Sequence, residues 1–522
     1  MKRHLESEIR NPKSEIRNLE SLYAGLIVML ALALRLFQLG KESLWIDEGF
    51  SLRDATYLEV LKGIRPVYYL VLRGWLDLGG GANEALLRLP SVIFGVAGVW
   101  VLYLLGRRLL GAQVALLASA FMAISVLQIN HSQEVRMYSL TVLLTLLASY
   151  SLVLYLERGK ARYAVSYGLT AILSLLTFPL TVFVFMAHGL FLLLYLKAYK
   201  PKTYLVLGSE ALVAAAWMPW MLNSAHATES YGQGLTATLD KPNVMGVIGF
   251  LGRFFLWKWH EPKGMLAAGI IGFSLMVTLI AILGLRGFRR ADTGLTFTAL
   301  WLAIPFAGLI IMSYALTNMW MLHYLIAASP ALYLLAAKGI VSLKNRYLIV
   351  GATSVIVLLT LGRLGMYYVK TERPEWRQAV NYIQSHEQPG DAMGIYYGAC
   401  QYVFGYYYHG RSPWSPVGVD EYYTEDFKRW NDAKVEKLFK DFPLDGKRFW
   451  LVLSHHTFRG GFSVINYFKA RYPVLDHKSY HLVEFYLFDG GAKGCPNPRW
   501  GAKTSWGGSC TPSPQTSGKE RS

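Results

Sequence analysis

The sequence predicts a polytopic α-helical membrane protein with a small α/β domain at its C-terminal end. Three observations predict it. Of 522 residues, 53% are hydrophobic and only 16% charged, where a soluble globular chain carries about 25% charged residues. Stretches without a single charge recur, at 22–34, 140–156, 266–285 and 347–361. Each approaches the roughly 20 apolar residues that a hydrocarbon core of about 30 Å demands. One such helix fits inside a soluble core, but a succession of them does not. After residue 366 these runs stop, and short strand-like and helix-like segments alternate.

In chain order, residues 1–21 are polar and hold Ser-Glu-Ile-Arg-Asn twice, at Ser7–Asn11 and Ser14–Asn18. One heptad repeat is too short for a coiled coil, so a disordered tail is expected. The run 22–39 is followed by no small-residue cleavage site and reads as a retained helix, not a signal peptide. About eleven spans follow the apolar pattern, at roughly 22–39, 89–106, 112–130, 137–156, 163–178, 180–197, 203–222, 265–285, 294–314, 322–340 and 347–366. They define a membrane-embedded domain over 22–368. Short cytoplasmic loops collect Lys and Arg. Alternate connections here carry Arg107 and Arg108, Arg158 and Lys160, Lys197 to Lys202, Arg286 to Arg290, and Lys338 to Arg346. That side, with the N-terminal tail, is therefore expected to be cytoplasmic in a multi-pass inner-membrane protein. An odd number of spans puts the C-terminal domain outside. The net charge of +18 suits this topology and anionic inner-leaflet lipid, and does not argue for nucleic acid.

Chemistry is expected in the outward connections. The first, Gly40–Arg88, opens with Asp47 and Glu48 between Trp45 and Phe50, at the expected membrane-water interface. Arg65 to Trp75 is amphipathic and reads as an interfacial helix. Its aromatic stripe serves interfacial anchoring at least in part. The second, from Gln128 to Tyr138, packs His131, Glu134 and Arg136 between two apolar helices. Charges so close to hydrocarbon are costly and are usually retained for a partner or a pathway; Glu134 and Arg136 either pair with each other or serve a ligand. The third, Asn223–Gly264, mixes His226, Glu229, Tyr231, Asp240, Trp259 and His260, a set suited to sugar hydroxyls and rings. Its second half, Val244–Trp259, reads as a further interfacial or re-entrant helix. Arg35 is expected to snorkel to the headgroups, and His188 to be hydrogen-bonded packing.

Five motifs in order resemble one family. They are Leu44-Trp-Ile-Asp47-Glu48, Pro66-Val-Tyr68-Tyr69-Leu, Leu87-Arg88-Leu-Pro90-Ser91, Gly106-Arg107-Arg108 and Ser132-Gln133-Glu134-Val-Arg136-Met-Tyr138. Together they resemble the GT-C superfamily of lipid-linked-sugar glycosyltransferases. The similar branch is the bacterial one related to protein O-mannosyltransferases, aminoarabinose transferases and lipopolysaccharide-core galacturonosyltransferases. The likeness is strongest over 22–200. It continues through His323-Tyr324 and Pro330, where relatives often carry Arg-Tyr, so His323 is a departure. Arg373-Pro-Glu-Trp376 and Pro389-Gly390-Asp391 resemble the start of the family's external domain.

The resemblance implies a GT-C-type fold of about eleven membrane helices plus interfacial helices. It implies an inverting transfer of sugar from a polyprenyl phosphate to a glycan, lipid or protein acceptor on the outer face. One carboxylate must take the proton of the attacking hydroxyl. Asp47 matches the family's acidic position, and Glu48 would orient it or bind the acceptor. Cations must balance the charge developing on the phosphate: Arg136 and Arg88 first, then His131 and His323, with Glu134 beside them. Tyr68, Tyr69, Tyr138 and His260 are candidates for binding substrate. No cofactor is expected. Adjacent carboxylates can hold Mg²⁺ or Mn²⁺, but the similar branch works without a metal and no zinc-type Cys/His spacing is present. A flippase for lipid-linked sugars, or a glycan polymerase or ligase, is the alternative. Against a transporter, ionisable residues cluster in outward loops and no two halves repeat.

An extracytoplasmic α/β domain is expected over 369–489. Its helices are read at Trp376–Ser385, Gln401–Tyr408, Ala433–Asp441 and Ser463–Ala470, and its strands at Asp391–Tyr397, Arg448–Ser454 and Leu482–Phe488. No catalysis is assigned to it; its removal is expected to alter acceptor choice. Residues 490–522, rich in Gly, Ser, Pro and Lys, read as a disordered tail.

Overall fold

The structure, a computed structural model, describes residues 12–57, 66–199, 202–211, 214–215, 218, 241–257, 265–286, 292–315, 318–418, 431–440, 442, 448–454 and 461–491. Two compact units emerge. The first holds residues up to Glu42 and then Phe50–Glu372; the second holds Ser43–Gly49 and everything from Arg373 on.

The first unit is helical. Its helices are α1 (Pro12–Leu36), α2 (Ile46–Tyr57, from Phe50 onward), α3 (Pro66–Asp77), α4 (Glu84–Leu109), α5 (Ala112–Ile124), α6 (Val126–Ser132), α7 (Tyr138–Arg158), α8 (Ala161–Thr177) and α9 (Val182–Leu194). They continue with α10 (Val244–Leu256), α11 (Met265–Gly284), α12 (Thr293–Ala315), α13 (Ser329–Val341) and α14 (Arg346–Val369). Helix α1 begins inside the segment read from the sequence as a tail. Among the described residues six helices are long and apolar enough to cross a membrane, and seven if α5 and α6, bent by 58° at their junction, count as one span. The shorter apolar helices Pro179–Leu194, Val244–Leu256 and Ala268–Gly284 overlap further expected spans or the interfacial helix, and 203–222 falls partly outside the described residues. The chain is a multi-pass helical membrane protein.

Small residues let its helices approach. A Cβ on Gly339 of α13 would stand 1.9 Å from the Ile280 carbonyl oxygen of α11, and one on Gly284 2.4 Å from that of Leu335. This is how membrane helices pack when no water drives them together.

The second unit is an α/β layer. Helix α15 (Trp376–His386) precedes β1 (Ala392–Tyr396), α16 (Gln401–Tyr407), β2 (Trp414–Val417), α17 (Asp432–Leu438), β3 (Arg448–Ser454), α18 (Gly461–Lys469), β4 (Val474–Tyr480) and β5 (Val483–Asp489). The sheet order is β2-β1-β3-β5-β4. β1 runs parallel to β2 and β3, while β5 is antiparallel to β3 and β4. β1 is buried along its whole length, as a parallel strand covered on both faces must be. Phe439, Phe449, Phe468 and Phe488 form its core. Strands β2 and β4 have no counterpart in the sequence reading. Both are edges: β2 carries Pro416, tolerated only at an edge or bulge, and β4 is too polar at Asp476, His477 and Lys478 to show an apolar face.

Candidate active site

In the first unit residues 128–138, read from the sequence as a very short connection between two apolar helices, form a buried hub. Helix α5 ends at Ile124 and α6 starts at Val126, so carbonyls near the end of α5 lose their helical donors. Ser125 caps α6, its Oγ accepting from the Gln128 N–H at 3.3 Å. Arg35 supplies the stranded carbonyls. Its guanidinium donates to Met122 O at 3.3 Å and Ala123 O at 3.1 Å, and also to Ala31 O and Ser132 Oγ at 3.1 Å each. Arg35 is fully buried, so it does not snorkel: four acceptors inside the protein replace water. Gly95 makes the room, since a Cβ there would lie 2.2 Å from Ser132 Oγ. Gln133 does the same for α1, donating to Arg35 O and Phe37 O at 2.9 Å each and accepting from the Tyr367 hydroxyl at 2.9 Å.

On this frame sits His131. Its Nδ1 is 2.9 Å from Glu134 Oε2, and Glu134 Oε1 accepts from the Asn130 amide at 2.8 Å. A carboxylate only accepts, so His131 carries a proton on Nδ1. Among the described residues its buried Nε2 has no hydrogen-bond partner. Around the ring stand Tyr138 and Trp257, each with centroids 4.6 Å away, and His323 at 6.4 Å. The buried Glu134 therefore pairs with His131; Arg136 Nη1 is 3.5 Å from Ser51 Oγ, and its guanidinium carbon lies 5.8 Å from the Tyr138 ring. The hub thus gathers a guanidinium, an oriented imidazole, a second histidine and aromatic faces: a chemistry suited to an anion joined to a ring-shaped apolar or sugar group.

Other expected residues lie elsewhere in this unit. Arg88 is inside α4, not in a loop, because Asn83 caps that helix earlier by accepting from Leu86 N–H at 2.9 Å. Its Nη1 donates to Leu39 O and Glu42 O at 2.9 Å each, bracing the chain after α1. Tyr68 and Tyr69 are buried in α3; the Tyr68 hydroxyl meets Ser91 Oγ at 3.3 Å. His188 is packing, as expected, between Ser149 Oγ and the Tyr167 hydroxyl at 3.1 and 3.3 Å. His260 and most of Asn223–Gly264 lie outside the described residues.

In the second unit Asp47 and Glu48 occupy the first turn of α2, whereas the sequence placed them in a loop. Trp45 is the residue before the helix, and its carbonyl accepts from Glu48 and Gly49 N–H at 2.9 and 3.1 Å. Glu48 reaches back to the Trp45 N–H at 3.2 Å, the carboxylate half of a capping box. The same Oε2 accepts from Arg373 Nη1 at 3.1 Å, with the carboxylate fully buried. Among the described residues no group of three or more His, Cys, Asp or Glu side chains has the spacing of a metal site.

A family model for dolichyl-phosphate-mannose-protein mannosyltransferases matches residues 65–220. ArnT from Cupriavidus metallidurans bound to undecaprenyl phosphate is similar in structure, with a TM-score of 0.56 at 14% identity over 88% of this chain and 97% of that one. So is the archaeal oligosaccharyltransferase AglB from Archaeoglobus fulgidus, in complex with an inhibitory peptide and a dolichol-phosphate: TM-score 0.53, 13% identity, 90% of this chain and 74% of that one. The chain shares the fold of these membrane glycosyltransferases, and its residues 65–220 match the mannosyltransferase family model. No curated protein matches it significantly in sequence. Sequence reasoning missed Ser51, Trp257 and Arg373 at the two sites. Trp257 sits at a positive φ of 62° just past α10, a backbone conformation that nothing in its neighbours' identities announces.

Proposed function

We propose that this GT-C protein transfers a sugar from a polyprenyl-phosphate donor to an acceptor hydroxyl at the outer face of the cytoplasmic membrane, inverting the anomeric carbon. The acceptor oxygen forms a bond to C1 as the bond from C1 to the phosphate oxygen breaks. The electron pair leaves with the phosphate, and the hydroxyl proton passes to the Asp47 carboxylate. Arg136 and His131 meet the charge that grows on the phosphate, with Glu134 holding the imidazole. Tyr138, Trp257 and His323 line the same place. The outer-face assignment rests on the cluster of Lys and Arg in alternate connections.

One observation carries the reading. His131 presents Nε2, buried and without a hydrogen-bond partner among the described residues, while Glu134 fixes the opposite edge of its ring. An unmade bond on a buried polar atom costs about 1–3 kcal/mol, and a phosphate oxygen supplies it. With a proton on each nitrogen, the ring donates to the carboxylate on one edge and to a phosphate oxygen on the other. The lipid phosphates named with ArnT and AglB agree with such a donor.

The test is transfer in liposomes from labelled polyprenyl-phosphate sugars to extracted envelope acceptors, comparing the wild type with Asp47→Asn. The variant is expected to fall by about 100- to 10,000-fold, the worth of a positioned base. Equal turnover in a folded variant removes Asp47 from that role. Movement of the labelled lipid across the bilayer without any transfer replaces the enzyme reading with a flippase.

A further inference from the structure

No catalysis is expected of the C-terminal unit from its sequence, yet the segment that carries Asp47 is built into it. Ser43–Gly49 belongs to the second unit, and three of that unit's elements grip it within seven residues. Ser43 Oγ accepts from the Arg377 N–H at 3.1 Å and donates to Gln378 Oε1 at 3.3 Å, both in the first turn of α15. The Leu44 N–H donates to the Tyr407 hydroxyl of α16 at 2.7 Å. Arg373, in the segment that leads into α15, forms the buried ion pair with Glu48 at 3.1 Å. Gly49 lies so close to α16 that a Cβ would stand 2.6 Å from Val403 Cγ2.

We infer that the C-terminal unit is the frame that positions the catalytic base, with Arg373 as a positioning residue acting through Glu48 on the first turn of α2. The inference rests on Asp47 being that base. Glu48 takes part in no proton transfer: one oxygen holds the Trp45 N–H and the Arg373 guanidinium together. Those two directional contacts set the rotation of the turn from which Asp47 projects.

Arg373→Met removes the guanidinium and keeps a long side chain. It is expected to lower kcat for sugar transfer by 100-fold or more while KM for the lipid donor changes less than threefold, and Arg373→Lys is expected to recover at least tenfold. A second route spares the ion pair. Gly49→Ala drives the turn against Val403 and should lower kcat at least tenfold, and adding Val403→Ala should restore it. The readout independent of activity is backbone hydrogen exchange over 43–49 in the full-length protein, expected to quicken at least tenfold in Arg373→Met. Unchanged exchange and unchanged kcat overturn the inference. So does faster exchange with wild-type kcat, provided Asp47→Asn is inactive. If Asp47→Asn is itself active, the base assignment fails, and exchange alone still judges whether the C-terminal unit holds the segment.

Discussion

Replacing Glu134 by Gln isolates what the hub does for His131. Glu134 is 4% exposed and accepts from Asn130 Nδ2 on Oε1 and from His131 Nδ1 on Oε2. Glutamine keeps the shape but only one acceptor. If its oxygen stays with Asn130, its NH₂ faces Nδ1, which must then accept, and the ring proton moves to Nε2. If the amide turns over, two NH₂ groups face each other until Asn130 flips. In the first arrangement the ring keeps a proton for the phosphate but loses its hydrogen bond to a carboxylate. In the second it keeps an acceptor, but a neutral one. Either way a charge-assisted hydrogen bond worth about 1.5–3 kcal/mol is lost. At 1.36 kcal/mol per decade this is roughly 10- to 150-fold in kcat/KM. Steady-state transfer in liposomes, run beside His131→Asn and the double variant, measures it. Because Glu134 acts through the ring, the double variant should be no slower than His131→Asn. Additive losses would mean that Glu134 has a separate role, and wild-type turnover in Glu134→Gln would refute the argument outright.

Four further outcomes are expected. Arg136→Gln should cut kcat/KM by about 100- to 1,000-fold, the usual worth of one preorganised donor at a developing oxyanion; an unchanged donor affinity and rate would take it off the phosphate. Transfer should survive EDTA, since the proposed chemistry runs on protein groups alone, and loss of activity restored by added Mg²⁺ or Mn²⁺ would contradict this. Gly339→Ala should lower thermal stability by about 1–3 kcal/mol of overpacking, because its Cβ meets backbone at 1.9 Å, and an unshifted melting curve would show that α11 and α13 separate freely. Glu387→Gln should destabilise the C-terminal unit in a pH-dependent way. Burial pushes this carboxyl up, but hydrogen bonds from the Tyr408 hydroxyl and the Ser412 and Arg411 amides outweigh it and leave it below its ordinary 4.5, while burial and Glu387 push Tyr408 up to about 12. A lowered folded value stabilises above the unfolded pKa, so the deficit of the variant should be full above about pH 4.5 and shrink as pH falls below it. A pH-independent difference would refute the sign.

The membrane class, most helices and the polar hub were legible because burial in lipid leaves long uncharged runs and makes each retained charge conspicuous. The core strands β1, β3 and β5 were legible for the same reason inside the second unit. What the sequence hid is how charge is used once buried. Arg35 read as a snorkelling residue from its place near a helix end, but the bend at Ser125 creates acceptors that no periodicity reveals. Arg88 read as a loop cation because the apolar span was drawn from residue 89, whereas Asn83 caps α4 six residues earlier. Asp47 and Glu48 read as a loop because Trp45 is a poor capping residue, and the missing cap is supplied by Glu48 from inside the helix. The tie between Glu48 and Arg373 spans 325 residues, beyond any local pattern.

That tie bears on why a buried ion pair is kept at all. Desolvating a guanidinium and a carboxylate costs several kcal/mol each, and a well-packed apolar pair of equal size is often as stable or more so. Stability alone therefore explains Glu48 and Arg373 poorly. An apolar pair, however, constrains distance and hardly constrains rotation. The Glu48 carboxylate meets two donors from fixed directions, the Trp45 N–H at 3.2 Å and Arg373 Nη1 at 3.1 Å. A turn of α2 rotated out of place would break the contact between these two buried charges, whose loss is costly. The pair thus makes the wrong orientations of Asp47 expensive, which is what a base needs if its oxygen must meet one hydroxyl on one face of a sugar. An apolar replacement should then fold as well and turn over far more slowly. Equal stability with equal rate in a Glu48→Leu, Arg373→Leu double variant would show that the pair only holds the fold.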